Sequence, residues 1–265
     1  MPAAVLSLPF DSPGAGEVRL MQEAARLGEL QVLLWSDRLV RARTGREPRM
    51  PAEERLYFLR AVRFVARAAL VDDPLDLAAL PARPDLWVVD GRSGRPAPDA
   101  VPAGLRPWVL GDADLAGFPP AAQEPLQPGR SKVLVTGSFD WLHSGHVRFF
   151  EEVAELGELH AVVGHDRNIR LLKGEGHPLF PEQERAYLVG AIRHVRRVCV
   201  STGDGWLDAE PEIERIRPDI YAVNEDGHKP EKERYCLEHG IEYRVLKRLP
   251  KPGLTVRSST ELRGF

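Results

Sequence analysis

Cysteines and long apolar runs are scarce in this sequence of 265 residues. Its two cysteines, Cys199 and Cys236, match neither a zinc-ligand spacing nor a disulfide framework. No apolar run approaches the roughly 20 residues that cross a bilayer, and the first residues lack the basic and apolar pattern of a signal peptide. We therefore expect a cytoplasmic protein with reduced thiols, no membrane partner and no metal site made of protein ligands.

An excess of positive charge is absent as well. The formal net charge is -3, whereas nucleic-acid-binding proteins usually carry a clear basic excess, so we expect no nucleic-acid partner. Hydrophobic residues make up 43% and charged residues 28% of the sequence, which is typical of a globular protein with an ordinary core. The length suits one large domain or two small ones.

The first half lacks two residue types that the second half contains. Residues 1–131 include no lysine and no histidine, and all eight histidines lie between His143 and His239. The two halves are nevertheless similar. At a displacement of 129 residues, Phe10 to Arg41 matches Phe139 to Arg170 at 14 of 32 positions, and further matches follow at a displacement of 130. Such a match predicts an internal duplication.

Proline, alanine and glycine accumulate between the two copies, and such a composition favours an extended connector. We therefore expect a first repeat at residues 1–92, a linker at 93–130 and a second repeat at 131–265. Within the linker, the run RPWVL at Arg106 to Leu110 also fits a docked strand.

Each copy alternates short β-branched runs with segments of helical spacing. In the second copy, KVLVTG, LHAVVG, VRRVCVS and DIYAVNED predict strands, whereas Gly145 to Leu156, Glu182 to His194 and Pro211 to Ile216 predict helices. This order predicts the α/β class, with two tandem Rossmann-like units that each contain a parallel sheet. Ligands of such sheets bind beyond the carboxyl ends of the strands.

The stretch TGSFDWLHSGH, from Thr136 to His146, lies at such an end. Gly137 lets a phosphate approach the backbone closely, and the N–H groups of the helix that starts near Gly145 favour an anion. His143 and His146 bracket this anion site. Two histidines three residues apart also fit a surface pair or part of a metal site, but their place between a strand and a helix favours phosphate binding.

This stretch resembles the H-x-G-H signature of the cytidylyltransferase-like nucleotidyltransferases, which include choline-phosphate and glycerol-3-phosphate cytidylyltransferases and heptose-phosphate adenylyltransferases. The resemblance extends from Lys132 to Arg263, with LLKGEGHPLFPEQER and RSSTELR similar to two further family segments. It implies transfer of a nucleoside monophosphate from a nucleoside triphosphate to a small phosphorylated metabolite, with release of pyrophosphate. Such chemistry needs positioning and charge stabilisation more than a protein nucleophile.

The resemblance also implies roles for individual residues. His143 and His146 would donate hydrogen bonds to the triphosphate, and Lys173, on a glycine-tethered loop, would neutralise it. The implied nucleotide-binding residues are Gly137, Ser138, Phe139, Asp140, Gly145, Arg248, Ser258, Ser259, Thr260 and Arg263. Asp140 is assigned to turn structure or to the water shell of Mg²⁺, the expected cofactor, which enters with the triphosphate.

The nucleotide and the acceptor stay open. The segment KGEGHPLFPEQERAYLVGAIRHV and LKR at Leu246 to Arg248 are similar to the cytidylyltransferases, whereas SSTELR is similar to nicotinamide-mononucleotide adenylyltransferases. We favour CTP over ATP as the nucleotide partner. Candidate acceptor-binding residues are Asp166, Trp206, Asn224 and Asp226. An alternative of another class is a nucleotide-binding regulatory or scaffold protein.

The first copy lacks the residues that carry this chemistry. Gly14 replaces His143, Glu17 replaces His146, Leu8 replaces Gly137 and Thr44 replaces Lys173. Glu17 would place a negative charge where a triphosphate must lie. We therefore expect one working site per chain. Because family members are commonly dimers or tandem repeats, we expect two nucleotidyltransferase units packed as an intramolecular pseudo-dimer, either monomeric or in a higher homo-oligomer, with a regulatory binding role for the first copy as second choice.

Overall fold

The computed structural model describes residues 2–92, 101–120 and 124–259. The chain forms two compact units, Met1–Phe118 and Pro119–Phe265. Each unit contains a five-stranded sheet, and the paired strands are parallel. No helix within the described ranges is long and apolar enough to cross a membrane.

The first unit is built around strand β1, which lies in the middle of its sheet. Its strands are β1 (Ala3–Leu8), β2 (Glu29–Trp35), β3 (Arg67–Val71), β4 (Leu86–Asp90) and β5 (Arg106–Leu110), and its helices are α1 (Ala15–Leu27), α2 (Asp37–Thr44) and α3 (Ala52–Ala61). The strand order is β3-β2-β1-β4-β5.

Strand β5 lies inside the segment that composition predicts to be a linker. It pairs with β4, from Arg106 opposite Leu86 to Leu110 opposite Asp90, so residues 93–130 are not all connector. Pro107 has no N–H to donate, and it is tolerated because β5 is an edge strand. The run RPWVL therefore forms a strand despite the proline-rich composition around it.

The second unit repeats this plan around β6. Its strands are β6 (Lys132–Gly137), β7 (Glu158–Val163), β8 (Val195–Val200), β9 (Ile220–Asn224) and β10 (Glu242–Leu246), and its helices are α4 (Ser144–Leu156), α5 (Asp166–Lys173), α6 (Glu182–Gly190), α7 (Glu210–Ile216) and α8 (Pro230–Glu238). The order β10-β9-β6-β7-β8 is that of the first unit read from the other edge. Val133, Leu134 and Val135 of β6 are fully buried, as expected for a parallel strand covered on both faces.

Two unusual details occur at equivalent places in both units and confirm the duplication. Phe10 and Phe139 each have a φ of 47°, in the left-handed region that side chains other than glycine rarely adopt. Arg55 and Arg185 are both buried and bind matching acceptors. Arg55 donates to the carbonyls of Met50, Pro9 and Trp35 and to Asp37; Arg185 donates to the carbonyls of Phe180, Ser138 and Gly164 and to Asp166. Each arginine thereby joins the ends of two neighbouring strands to the start of a helix.

Candidate active site

A cavity of about 580 Å³ opens in the second unit at the carboxyl ends of its central strands, where parallel sheets bind ligands. Eleven of the residues predicted from the sequence line it: Gly137, Ser138, Phe139, His143, Gly145, His146, Lys173, Trp206, Asn224, Asp226 and Arg248. The cavity therefore gathers residues that are spread over more than a hundred positions of the chain.

The two histidines are held by the first turn of α4. His143 is the N-cap of this helix, and its Nδ1 accepts a hydrogen bond from the backbone N–H of Gly145 at 3.1 Å. The Nδ1 of His146 accepts in turn from the backbone N–H of His143 at 3.4 Å. A neutral ring that accepts at Nδ1 carries its proton on Nε2. The helix start therefore fixes the tautomer in which both rings can donate from Nε2.

His143 is 1% exposed, and its Nε2 has no hydrogen-bond partner within the described part of the chain. Leaving a buried donor without an acceptor costs about 1–3 kcal/mol. Because His143 lines the cavity, a ligand with acceptor oxygens would satisfy this donor.

Both histidines are neutral at physiological pH. Burial, together with the positive charges of Arg248 and Arg257, lowers the pKa of His143 to about 3. Burial also places the pKa of His146 well below its ordinary value. The positive charges of Arg248 and Lys173 lower this pKa further, as would the charge of His143 if that ring were protonated. The pair therefore presents two neutral imidazole rings to the cavity and not two cations.

This charge state predicts a loss of stability in acid. Below pH 6.5 the unfolded chain protonates His143, whereas the folded protein takes up that proton only near pH 3, so the free energy of unfolding falls as the pH drops through this window. His143→Asn keeps an N-cap side chain and removes the titration. Between pH 7 and pH 4.5, we expect the free energy of unfolding to fall by about 2 kcal/mol less in the variant than in the wild type. Urea unfolding at both pH values measures this difference. Equal losses in both proteins would contradict a buried neutral His143.

Two glycines of the turn make room for aromatic rings. A Cβ at Gly145 would lie 2.9 Å from the His143 ring, and a Cβ at Gly137 would lie 2.8 Å from the Phe139 ring. Phe139 in turn meets His146 edge-on, with 5.6 Å between the ring centroids. From the sequence, we predicted that Gly137 lets a phosphate approach the backbone. The structure shows that Gly137 also makes room for the Phe139 ring.

Lys173 is the last residue of α5, directly before Gly174, and not part of a glycine-tethered loop as the sequence predicted. Its Nζ donates to Ser138 Oγ at 2.8 Å. The helix therefore delivers an ammonium group to the turn that follows β6.

Arg248 brings the segment after β10 to the cavity. Its guanidinium pairs with Asp226 at 2.6 Å and donates to the carbonyl of Arg257 at 2.7 Å. These two contacts hold the guanidinium of Arg248 beside the histidines, as a second cation in addition to Lys173. They also fix the backbone position of Arg257, the residue before Ser258.

The other predicted site residues lie elsewhere. Asp140 is buried, and its Oδ1 accepts from the backbone N–H groups of Leu179 at 2.7 Å and Phe180 at 3.1 Å, which fits the turn role and not the magnesium role. Asp166 accepts from Arg185 at 2.6 Å. Ser259 donates to the carbonyl of Trp141 at 3.3 Å. Among the described residues, Asp140, Asp166, Ser258 and Ser259 are not part of the cavity lining. Thr260 and Arg263 lie outside the described residues.

Several lining residues were not predicted from the sequence: Thr136, Asn168, Leu172, Lys229 and Lys232. Asn168 is 1% exposed and exchanges two hydrogen bonds with the backbone of Gly205, at 2.7 and 3.0 Å. It thereby holds the short 3-10 helix Gly205–Leu207, which carries Trp206. A sequence signal for Lys229 and Lys232 was available. The proline in HKPEK favours the first turn of a helix, and the two lysines lie at the start of that helix, α8.

The first unit has a smaller cavity of about 190 Å³ at the corresponding place. Leu8, Glu17 and Thr44 line it, at the positions that Gly137, His146 and Lys173 occupy in the second unit. This cavity therefore offers a carboxylate and a hydroxyl where the larger one offers an imidazole and an ammonium group.

Comparison with known proteins agrees with this geometry. A family model described as "Cytidylyltransferase-like" matches residues 134–263. The FAD synthase of Thermococcus kodakarensis is 40% identical over 119 residues, which are 44% of this chain and 78% of that protein. The FAD synthase of Archaeoglobus profundus is 34% identical over 134 residues, 49% of this chain and 83% of that protein. The "Bifunctional protein HldE" of Syntrophotalea carbinolica is 38% identical over 99 residues, 37% of this chain and 20% of that protein. The chain therefore belongs to the cytidylyltransferase-like family and is a nucleotidyltransferase.

Proposed function

We propose that this nucleotidyltransferase uses ATP and transfers its adenylyl group to the phosphate of FMN or of a similar mononucleotide. The observation that carries the choice of ATP is the set of relatives named FAD synthase, two of which share 40% and 34% identity with this chain. FAD contains an adenylyl group joined to a flavin phosphate. These names favour ATP over the CTP that the sequence motifs favoured.

The proposed reaction is one in-line displacement. A phosphate oxygen of the acceptor attacks the α-phosphorus of the triphosphate, the bond from that phosphorus to the bridging oxygen breaks, and pyrophosphate leaves with the electron pair. The Nε2–H groups of His143 and His146 donate to phosphate oxygens as negative charge moves toward the leaving group. The positive end of the α4 dipole and the ammonium of Lys173 favour the same charge.

Mg²⁺ is proposed as the ion that accompanies the triphosphate. Among the described residues there is no group of three or more His, Cys, Asp or Glu side chains that could hold a metal ion. The lining carboxylates Asp208 and Asp226 already accept hydrogen bonds from Ser201 and Arg248, both at 2.6 Å. This donor set fits an ion bound mainly by phosphate oxygens and water, which is the usual mode of Mg²⁺. Bound there, it would neutralise phosphate charge.

The mouth of the cavity suits a flat acceptor. Trp206 is 43% exposed and Leu172 is 54% exposed, and both line the cavity. An exposed indole beside a binding cavity offers a face for stacking on an aromatic ring such as a flavin. This observation favours FMN over a small aliphatic phosphate ester.

A substrate panel tests the proposal. We expect the protein with Mg²⁺, ATP and FMN to form FAD and pyrophosphate, measured by chromatography of the flavins and by a coupled pyrophosphate assay. CTP in place of ATP, and glycerol 3-phosphate or choline phosphate in place of FMN, serve as comparison substrates. Pyrophosphate release with CTP and an aliphatic phosphate, but not with ATP and FMN, would overturn the proposed donor and acceptor. No release with any pair would favour the regulatory or scaffold alternative.

A further inference from the structure

Lys232 of α8 lines the cavity, although the reaction as described above does not use it. Its Nζ lies 3.4 Å from Thr136 Oγ1 and 5.6 Å from the centre of the Tyr221 ring. An ammonium group has three N–H donors, and a contact of 3.4 Å is a long hydrogen bond. The two contacts therefore leave donor capacity on Nζ.

The surroundings of this ammonium make an anionic partner favourable. Tyr221 is buried, and its hydroxyl is bonded to Thr136 Oγ1 at 2.7 Å, so Thr136 already shares its oxygen. Burial lowers the pKa of Lys232, and the negative charge of Asp208 opposes that shift. A positive charge taken out of water is costly unless an anion compensates it, and a phosphate entering the cavity would do so.

The proposed reaction brings two phosphate groups into one cavity. Lys173 reaches the turn after β6 from α5, with Nζ on Ser138, and the histidines sit at the start of α4. Lys232 belongs to a different helix, α8, and its Nζ contacts Thr136, the residue before Gly137. The attacking phosphate must reach the α-phosphorus from the side opposite the leaving pyrophosphate, so it requires a cation other than those that bind the triphosphate.

We propose that Lys232, supported by Thr136 and Tyr221, forms the subsite that binds the phosphomonoester of the acceptor. This inference rests on the proposed function, because it assigns the nucleophilic phosphate of the same reaction. The ligand class is an organic phosphate monoester, whatever group it carries.

Steady-state kinetics separate the two phosphate sites. Lys232→Met keeps most of the apolar stem of the side chain and removes the ammonium group. We expect it to raise the KM for FMN by about 10-fold to 100-fold, the effect of losing a charge-assisted hydrogen bond, and to leave the KM for ATP within about threefold. Lys232→Arg keeps the charge and should recover part of the loss. The matched control is Arg234→Met on the same helix, which removes an exposed cation that pairs with Glu238 at 4.0 Å. An unchanged KM for FMN, or an equal rise in both KM values, would overturn the proposed subsite.

A second measurement needs no turnover and uses inorganic phosphate as the probe. At constant ionic strength and without nucleotide, we expect phosphate to raise the melting temperature of the wild type, Arg234→Met and Lys173→Ala, and to raise that of Lys232→Met much less. Each shift is taken relative to the same variant without phosphate, so a change in basal stability does not affect it. A shift that survives in Lys232→Met and vanishes in Lys173→Ala would overturn the inference. If FMN is not a substrate but the phosphate shift still depends on Lys232, the choice of acceptor fails and the subsite stands.

Discussion

Replacing His146 with alanine is expected to lower the turnover of nucleotidyl transfer by about 10² or more, the usual effect of removing one donor to a developing negative charge. His143→Asn is expected to lower it similarly, because asparagine can retain the N-cap of α4 while losing the ring Nε2–H. The measurement is pyrophosphate release at saturating substrates, with circular dichroism to show that both variants stay folded. Turnover within a few-fold of the wild type in both would contradict the donor role of the pair.

Replacing Arg185 with methionine is expected to destabilise the second unit by about 3 kcal/mol or more. The guanidinium is buried, and its loss would leave the carbonyls of Ser138 and Gly164 without this donor. Ser138 and Gly164 directly follow β6 and β7, and both line the cavity. We therefore expect urea unfolding at lower concentration and weaker binding of a triphosphate at sub-denaturing temperature.

Arg55→Met is the matched control for this variant, because Arg55 makes the equivalent contacts in the first unit. It should reduce stability by a similar amount but preserve the rise in melting temperature that a triphosphate causes. If Arg185→Met unfolded at the wild-type urea concentration, or if both variants lost triphosphate binding equally, the assignment of Arg185 to the site would be wrong.

The strand–turn–helix that carries the histidines could be predicted from sequence because its signals are local. KVLVTG is a β-branched run that becomes β6, and the spacing of Val147, Phe150 and Val153 marks the buried face of α4. The predicted helix Gly145 to Leu156 differs from the observed α4 only at its first residue, Ser144. The turn itself combines a glycine, a helix start and two histidines within eleven positions.

Two helices of the second unit were missed because they bury little. In α5 the buried residues are Asn168 and Ile169, and in α8 they are Tyr235 and Cys236. Because α5 has 8 residues and α8 has 9, neither is long enough for the repeated apolar spacing over 11–18 residues that predicts a helix from sequence. Since these helices carry Lys173 and Lys232, the cations of the site were harder to place than its histidines.

Long-range contacts explain the remaining gaps in the predicted site. Lys232 meets Thr136 across 96 positions and Asn168 meets Gly205 across 37, and no spacing within one element indicates such pairs. Conversely, the place of Asp140 in the motif left two roles open, turn structure or the water shell of Mg²⁺, and its carboxylate accepts from the backbone of Leu179 and Phe180, which fits the first. Sequence position alone did not show in which direction that side chain points.

The most direct test of the central claim compares the two positions that the duplication makes equivalent. His146 of the second unit corresponds to Glu17 of the first, and each lines the cavity of its own unit. Pyrophosphate release from ATP in the presence of FMN should fall by about 10² or more in His146→Ala and stay at the wild-type rate in Glu17→Ala. A Glu17→Ala variant that loses as much activity as His146→Ala would contradict the account, because the chemistry would then not be confined to the second unit.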